Sequence, residues 1–462
     1  MPLFTVLLYG NAPAAHSTLA ISMKPKFDLE GSYRTAESDD DEEPAKPAPA
    51  EKGAVEWPKD DAHAWLVLAA AFCTQAIIFG LVLCFGIYFV TLVEAFRSRK
   101  SSVALVGAVA YGTMCLSSLL SSILCKRLGC RAVAMLGGAI SSLGCGLSFL
   151  AEDLLSLGLS YGLINGLGLG LAFTPTVAVL PDYFHKYRFF ATAFSSVGSA
   201  VGTLLFQPIF LHLIQTYAWR GSMLINAGIA LHITLFGALL KSRTPPVKGA
   251  WHSIVELRLF KERAFLLCLG NAFFWGGSIY ITFSLSNALI IKQGLSSFPL
   301  STSAQIDHKG ESASLVSLLG LANAGGRATA SFLGHLQAAN RPALYAAFTA
   351  IFALAILATT FATSFWSFGL CLGLFGFCFG GMLSQMAGVL IDLFGAGHLL
   401  NSLGYMMFAC GLGGMGLPYL AGLVGDAYGL SWSFYLAHAF GMLAFAFAAV
   451  NVALRCRGGQ SS

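Results

Sequence analysis

Twelve times between residues 64 and 454 the chain repeats one theme: an apolar run of about twenty residues, the length that crosses a bilayer, then a short polar connection. The runs lie near 64–90, 103–125, 132–151, 154–180, 189–213 and 221–240, then near 264–291, 312–334, 341–361, 365–390, 399–424 and 432–454. In hydrocarbon every backbone N–H and C=O must be satisfied within the segment itself, so runs of this length select helices. Composition agrees, with 56% hydrophobic and 11% charged residues. The predicted fold is an all-α membrane protein of twelve transmembrane helices in two six-helix bundles, residues 62–240 and 264–454.

The remaining segments are polar. Residues 1–61 are rich in Pro, Lys and acids, including "ESDDDEE" at 37–43, and read as a disordered cytoplasmic tail. Their opening "MPLFTVLLYGNAPAAHS" lacks a basic region before its short apolar run, so a cleaved signal peptide is not expected; Met23 is an alternative start. Residues 241–263 are broken by two prolines and form the linker between bundles, and 455–462 form a C-terminal tail. With twelve crossings, both tails and the linker share one side. The connecting loops, linker and C-terminal tail of that side hold fourteen Lys/Arg against six opposite, which places both termini in the cytoplasm; the plasma membrane is the expected location.

Six more Lys/Arg lie in the N-terminal tail, which leaves one of the chain's 27. That residue is Arg327, within "GLANAGGRATAS" (320–331). An arginine at mid-membrane costs at least about 2.5–3.5 kcal/mol, so an ionisable group there is a functional-site candidate by default. Its planar fork matches a carboxylate bidentately; a structural arginine bonded to helix-end carbonyls is the competing explanation. Asn323, one turn earlier, shares its face. No acid is central: twelve of 22 Asp/Glu lie in the N-terminal tail and the other ten at span ends or in loops.

The halves read as parallel copies. "SLLSSILCKRLGCRAV" (118–133) after the second span matches "TASFLGHLQAANRPAL" (329–344) after the eighth, pairing Arg131 with Arg341 and Ser117 with Arg327. Repeats of this kind place a substrate near the midplane between bundles. Enzymatic chemistry is not expected. There is no phosphate-binding Gly-x-x-x-x-Gly-Lys-Ser/Thr loop, no metal-spaced His/Cys set, and the Gly-rich "GLINGLGLGLAF" (162–173) lies inside a span rather than after a strand. No cofactor, metal or nucleic acid is implied. The eleven Cys are expected to be unpaired core residues. His232 and His438 fall inside spans, where a histidine bonded to a backbone carbonyl is the expected state.

"LCKRLGCR" (124–131) resembles the loop after the second helix in the major facilitator superfamily, without its usual Asp. More specifically, the chain resembles the monocarboxylate transporter family. "DDAHAW" (60–65) matches that family's opening motif at Asp60, Ala64 and Trp65 and departs at Asp61, Ala62 and His63. "YFHKYRFFATAFSSVGSAVG" (183–202) matches its second signature at Tyr183, Phe184, Lys186, Arg188, Ala191, Gly198 and Gly202, departing at Tyr187, Phe190 and Ala193. The eighth-span Arg, "GFCFGG" (376–381) and "DLFG" (392–395) also fit.

The resemblance implies that Arg327 binds a substrate carboxylate, that Phe79, Leu83 and Phe379 line the cavity, and that Asp60 and Trp65 take part in gating or folding. Gly198 and Gly202 form a small-xxx-small packing stripe. Lys186 and Arg188 mark a helix end at the lipid phosphates. Two family charges are missing: Asn323 stands where proton-coupled members have an Asp, and Leu83 where they have a Lys. The expectation is therefore alternating-access transport of monocarboxylates or related small organic anions, not ordinary proton-lactate symport. Two other readings stay open, a uniporter for aromatic amino acids or thyronine-like molecules and a transport-dead scaffold or sensor. Some relatives need a single-span immunoglobulin-like companion to reach the cell surface.

Overall fold

The computed structural model describes residues 61–98, 100–242, 256–292, 305–335 and 340–458. Asp60, the N-terminal tail before it and residues 243–255 of the linker lie outside these. We number the principal helices α1 (Ala62–Leu83), α2 (Phe85–Phe96), α3 (Lys100–Leu128), α4 (Cys130–Phe149), α5 (Gly166–Ala178), α6 (Arg188–Gly237), α7 (Arg263–Lys292), α8 (Gln305–His335), α9 (Arg341–Thr360), α10 (Phe365–Phe394), α11 (Leu399–Tyr428) and α12 (Leu430–Gly458). A π-helical stretch, Gly158–Asn165, leads into α5.

Among the described residues, ten helical stretches are long and apolar enough to cross a membrane. α1 and α2 form one of them, interrupted at Cys84. Another, α6, runs 50 residues but breaks at Ala218, whose φ of 56° and ψ of 174° are not helical, so its length serves two crossings. α8, at 31 residues, is long enough for one more at about 1.5 Å per residue; Asn323, Arg327 and the small polar residues around them dilute its apolar character and keep it out of the ten. The fold thus has room for the twelve crossings read from the sequence.

The starts of α1, α9 and α10 are fixed by short polar side chains that accept from otherwise orphaned backbone N–H groups. Asp61 caps α1 through Ala64 N at 2.8 Å, and Ser364 caps α10 in a reciprocal pair with Ser367. Tight reversals after α3, α10 and α11 fall on Gly129, Gly395 and Gly429, at φ of 85°, 84° and 100°, a region that favours residues without a Cβ.

Within the first half α1 packs along α6, and α5 lies against α3 and α4. In the second, α7 packs on α11 and α12, α8 on α10, and α9 on α10 and α12. The halves meet where α3 packs on α11 and α6 on α8 and α10. Small residues set the closest approaches. A Cβ on Gly198 would lie 2.2 Å from Phe72 O, and one on Gly202 2.0 Å from Ala76 O, so α6 comes down onto the α1 backbone there. Large apolar side chains such as Leu155, Leu235, Leu370 and Phe332 are exposed around the outside, as a bilayer requires.

Candidate functional site

α8 carries Arg327 to the contact with α6 and α10. Only 3% of the residue is exposed. Its Nε donates to Asn323 Oδ1 at 2.7 Å, one turn back on the same helix, and its Nη1 donates to Ser196 O of α6 at 3.0 Å, across the boundary between halves. Asn323 is itself fixed, since its Nδ2 donates to Gly376 O of α10 at 3.3 Å. The Phe79 ring of α1 lies 6.0 Å from the guanidinium carbon, within cation–π range.

Among the described residues no carboxylate lies within ion-pair distance of Arg327; the ion pairs are Lys126–Glu256, His398–Glu256 and Arg341–Asp392. Two of its five N–H donors are engaged. Nη2 is not among the fully enclosed polar atoms left without a partner. Arg327 instead lines a cavity that holds about 690 Å³ of non-atom space, counting its open mouth. The guanidinium is therefore held on one edge and offers its free donors to an interior space.

Both halves build that space. Phe79 and Leu83 of α1 and Phe379 of α10 line it together with Arg327, so four of the five substrate-site residues read from the sequence meet at one cavity; Asn323 stands behind, against Arg327. The rest of the lining is largely apolar, including Phe173, Ile279, Phe283, Leu383 and Met386. Five polar members were not legible from sequence: Ser196, whose backbone rather than side chain serves Arg327, and Gln75, Tyr111, Thr192 and Trp275. An amide, a phenol and an indole inside spans were the available signal.

The motif residues lie elsewhere and come together. Trp65 packs edge-on against Phe184, with ring centres 5.4 Å apart, and leans on Tyr187 at 6.0 Å, while His63 stacks on Tyr183 at 5.7 Å. The start of α1 and the approach to α6 thus form one aromatic joint. Lys186 is exposed, and Arg188 Nε donates to Phe184 O at 3.4 Å. Asp60 is outside the described residues; Asp61 supplies the cap of α1. His232 and His438 each have Nδ1 2.9 Å from a carbonyl oxygen, of Gly228 and Ala353, and neither is among the cavity-lining residues.

A second contact between halves lies at the linker end. Arg341 pairs with Asp392 at 3.0 and 3.1 Å, and its guanidinium carbon lies 3.4 Å from the centre of the Phe189 ring of α6. Glu256 of the linker reaches Lys126 of α3 and His398 beside α11, each at 2.5 Å. Burial works against ionisation of Glu256, but the hydrogen bonds from Lys126 and His398 outweigh it and hold the carboxyl below its ordinary range.

The sequence profile described as Major Facilitator Superfamily matches residues 65–339. The chain is 30% identical over 399 residues to Monocarboxylate transporter 11 of Mus musculus, covering 83% of this chain and 86% of that one. It is 29% identical over 392 residues to Monocarboxylate transporter 13 of Rattus norvegicus, covering 83% and 87%. Among solved structures, the human organic anion transporter MFSD10 (TETRAN) superposes with a TM-score of 0.66 at 16% identity, covering 83% of this chain and 99% of that one. FucP, in the outward conformation, gives 0.64 at 18% identity, covering 84% and 99%. These likenesses to solved structures bear on the fold alone. Two bundles around an interior cavity, matched along most of the chain by monocarboxylate transporters, identify it: this multi-pass membrane protein belongs to the monocarboxylate transporter family of the major facilitator superfamily.

Proposed function

We propose that the protein is a secondary transporter of monocarboxylates or related small organic anions, which it moves by rocking its halves around the cavity. The observation that supports this most is a buried guanidinium with no acidic partner among the described residues and free donors toward an apolar cavity. A carboxylate is the anion whose two oxygens fit that fork. The Phe and Leu lining suits a substrate with an apolar body.

The same geometry supplies a coupling step. Nη1 of Arg327 rests on Ser196 O of the opposite half. A carboxylate, as the stronger acceptor, draws Nη1 away and loosens one contact between α6 and α8, so binding biases the equilibrium that opens the site. Asn323 keeps its hold on Nε throughout and aims the fork. It has no titratable group, and Leu83 supplies no second charge, so proton-lactate symport of the ordinary kind is not the proposal. The bias of Lys/Arg toward the linker side supports both termini lying in the cytoplasm, and the membrane we propose is the plasma membrane.

The test is uptake of a panel of labelled monocarboxylates at two pH values in cells expressing the chain, with and without a single-span immunoglobulin-like partner, alongside Arg327→Gln. Saturable uptake that the variant loses at equal surface abundance is the expected result. Equal uptake by the variant, or no uptake of any acid by a surface-resident wild type, overturns the proposal; the latter result favours a scaffold or sensor.

A further inference from the structure

Gln75 lines the cavity from the middle of α1 and is 1% exposed. Its carboxamide is oriented by α6: Nε2 donates to Ser195 Oγ at 3.2 Å, and Ser195 Oγ spends its own proton on Thr192 O at 2.9 Å. The hydroxyl is therefore the acceptor in the first bond, which fixes the amide nitrogen toward Ser195 and leaves Oε1 on the other fork. Oε1 has no hydrogen-bond partner among the described residues, yet it is not one of the fully enclosed unpartnered atoms, which are Asn165 Nδ2, Asn226 Oδ1 and Trp275 Nε1. It thus keeps accessible surface, and the surface of Gln75 lies in the cavity wall. The close approaches of Gly198 to Phe72 and Gly202 to Ala76 pin the stretch of α1 that carries it.

Gln75 and Arg327 are neighbours through α6. Gln75 bonds to Ser195, and Arg327 Nη1 bonds to the carbonyl of the next residue, Ser196. Phe79, one turn after Gln75 on α1, lies 6.0 Å from the guanidinium carbon. A carboxylate on the fork of Arg327 would set its adjacent carbons toward Gln75 and run its body along apolar lining such as Phe379 and Leu383. An amide oxygen in that place is hydrated while the cavity is open to water. A guest that displaces the water must supply a donor or leave the oxygen without a hydrogen bond.

We infer that Gln75 is a specificity-determining residue whose Oε1 accepts a hydrogen bond from a hydroxyl on the carbon next to the substrate carboxylate. The preferred cargo is then a 2-hydroxy monocarboxylate with a branched or aromatic apolar body, ahead of the 2-oxo or unsubstituted acid of the same skeleton. This rests on the reading of Arg327 as the carboxylate ligand. Arg327 admits acids and Gln75 selects among them. A 2-oxo acid turns a second carbonyl toward Oε1 and an unsubstituted acid turns a C–H; neither supplies the donor. An ammonium in the same place would bring a full charge to a cavity lined by no carboxylate among the described residues, so the neutral hydroxyl is the better fit.

The test uses the full chain in proteoliposomes and three acids of one skeleton, 2-hydroxy-4-methylpentanoate, 2-oxo-4-methylpentanoate and 4-methylpentanoate, each measured as a transported substrate or a competitor at about pH 7.5, where all are carboxylates. Wild type is expected to favour the hydroxy acid over the other two on the order of tenfold. Gln75→Met keeps a straight side chain but removes the acceptor, and should reduce that ratio to about twofold or less. A purely structural role for Gln75 would lower all three acids together and leave the ratio standing. A ratio that persists in Gln75→Met overturns the inference, as does a wild type that treats the three acids alike, which needs no variant to establish. Arg327→Gln separates this from the parent reading. If the acids are taken up in an Arg327-dependent way without discrimination, Gln75 has no such role and the Arg327 reading stands. If Arg327→Gln handles every acid as wild type does, the Arg327 reading falls and this inference with it.

Discussion

The α3–α5 crossing in the first half and the α8–α10 crossing in the second are one structure used twice. A Cβ on Gly170 would stand 2.1 Å from Met114 O and 2.0 Å from Ser117 Oγ; one on Gly380 would stand 2.2 Å from Asn323 O and 3.2 Å from Arg327 Cγ. Gly170 and Gly380, Ser117 and Arg327, Arg131 and Arg341, and Asp182 and Asp392 are each 210 residues apart. On this shared backbone the chemistry diverges. Ser117 spends its hydroxyl locally, on Met114 O at 3.1 Å and Leu167 O at 3.4 Å. Arg327 reaches across to the other half and keeps donors free for the cavity. On the proposed reading of Arg327, a near-symmetric scaffold acquires a one-sided anion site from a single position, and the glycines that allow the close crossing are common to both sides.

The largest effect should come from making the second copy like the first. Arg327→Ser places the small hydroxyl of the first copy where the guanidinium stands. Truncating one partner of a desolvated, hydrogen-bonded charge pair costs about 2–5 kcal/mol, so we expect uptake efficiency to fall by about 30-fold or more at matched surface abundance. The reciprocal change, Ser117→Arg, puts a long charged side chain against the α5 backbone and should abolish surface expression. Measuring kcat/KM and surface biotinylation together separates the two outcomes. A transport-competent Ser117→Arg protein would break the comparison.

Next come the glycines. Gly170→Ala and Gly380→Ala each drive a methyl into a carbonyl oxygen about 2 Å away, where no flexible side-chain end can yield. Each should lower stability by about 1–3 kcal/mol. They should differ in function, because only Gly380 abuts Asn323 and Arg327. Thermal unfolding in detergent should shift for both variants, while KM for a transported acid rises for Gly380→Ala alone.

The sequence made the fold legible because the bilayer reduces folding to a length and a polarity that can be counted along the chain. It also made Arg327 legible, as the lone cation left after the loops and tails had claimed the rest, and Asn323 by its spacing on one helical face. Phe79, Leu83 and Phe379 became visible only through resemblance, since one phenylalanine in a span looks like another until a neighbour is named. Ser196 was hidden because its contribution is a backbone oxygen, which no side chain announces. The aromatic joint of Trp65, His63 and residues 183–187 was hidden because it is a tertiary contact between segments more than a hundred residues apart. The pairs Gly170/Gly380 and Asp182/Asp392 were within reach, since the 210-residue offset that joins Ser117 to Arg327 also finds them.

A smaller effect should follow from giving Asn323 a proton to carry. Its Oδ1 accepts from Arg327 Nε while its Nδ2 donates to Gly376 O. In Asn323→Asp the ionised carboxylate keeps the first bond and competes with the substrate for Arg327, but offers Gly376 O no donor. Protonation restores that donor and frees the guanidinium for substrate. Uptake by the variant should therefore rise as pH falls, by about threefold or more between pH 7.5 and 6, against a flatter wild-type profile. An unchanged profile in an active variant would mean that more than the proton carrier distinguishes this chain from proton-coupled relatives.

The smallest effect belongs to the linker end, where Glu256 ties Lys126 of the first half to His398 of the second. These groups are partly exposed, so the cluster contributes about 1 kcal/mol or less. Its sign with pH is fixed by the depressed carboxyl of Glu256: a group whose folded-state pKa lies below the ordinary glutamate value, about 4.3, stabilises the fold above that value and loses the contribution as pH falls through the lowered one. Glu256→Gln should accordingly lower the unfolding temperature slightly at pH 7, and the gap to wild type should close as both are taken to pH 4 and below. Because the cluster bridges the halves at the linker end, the variant should also open that end more readily, read as faster labelling of a cysteine placed at Ser196 by a membrane-impermeant maleimide applied from the linker side. A gap in unfolding temperature that stays constant down to acid pH would show that the glutamate acts through packing, not charge.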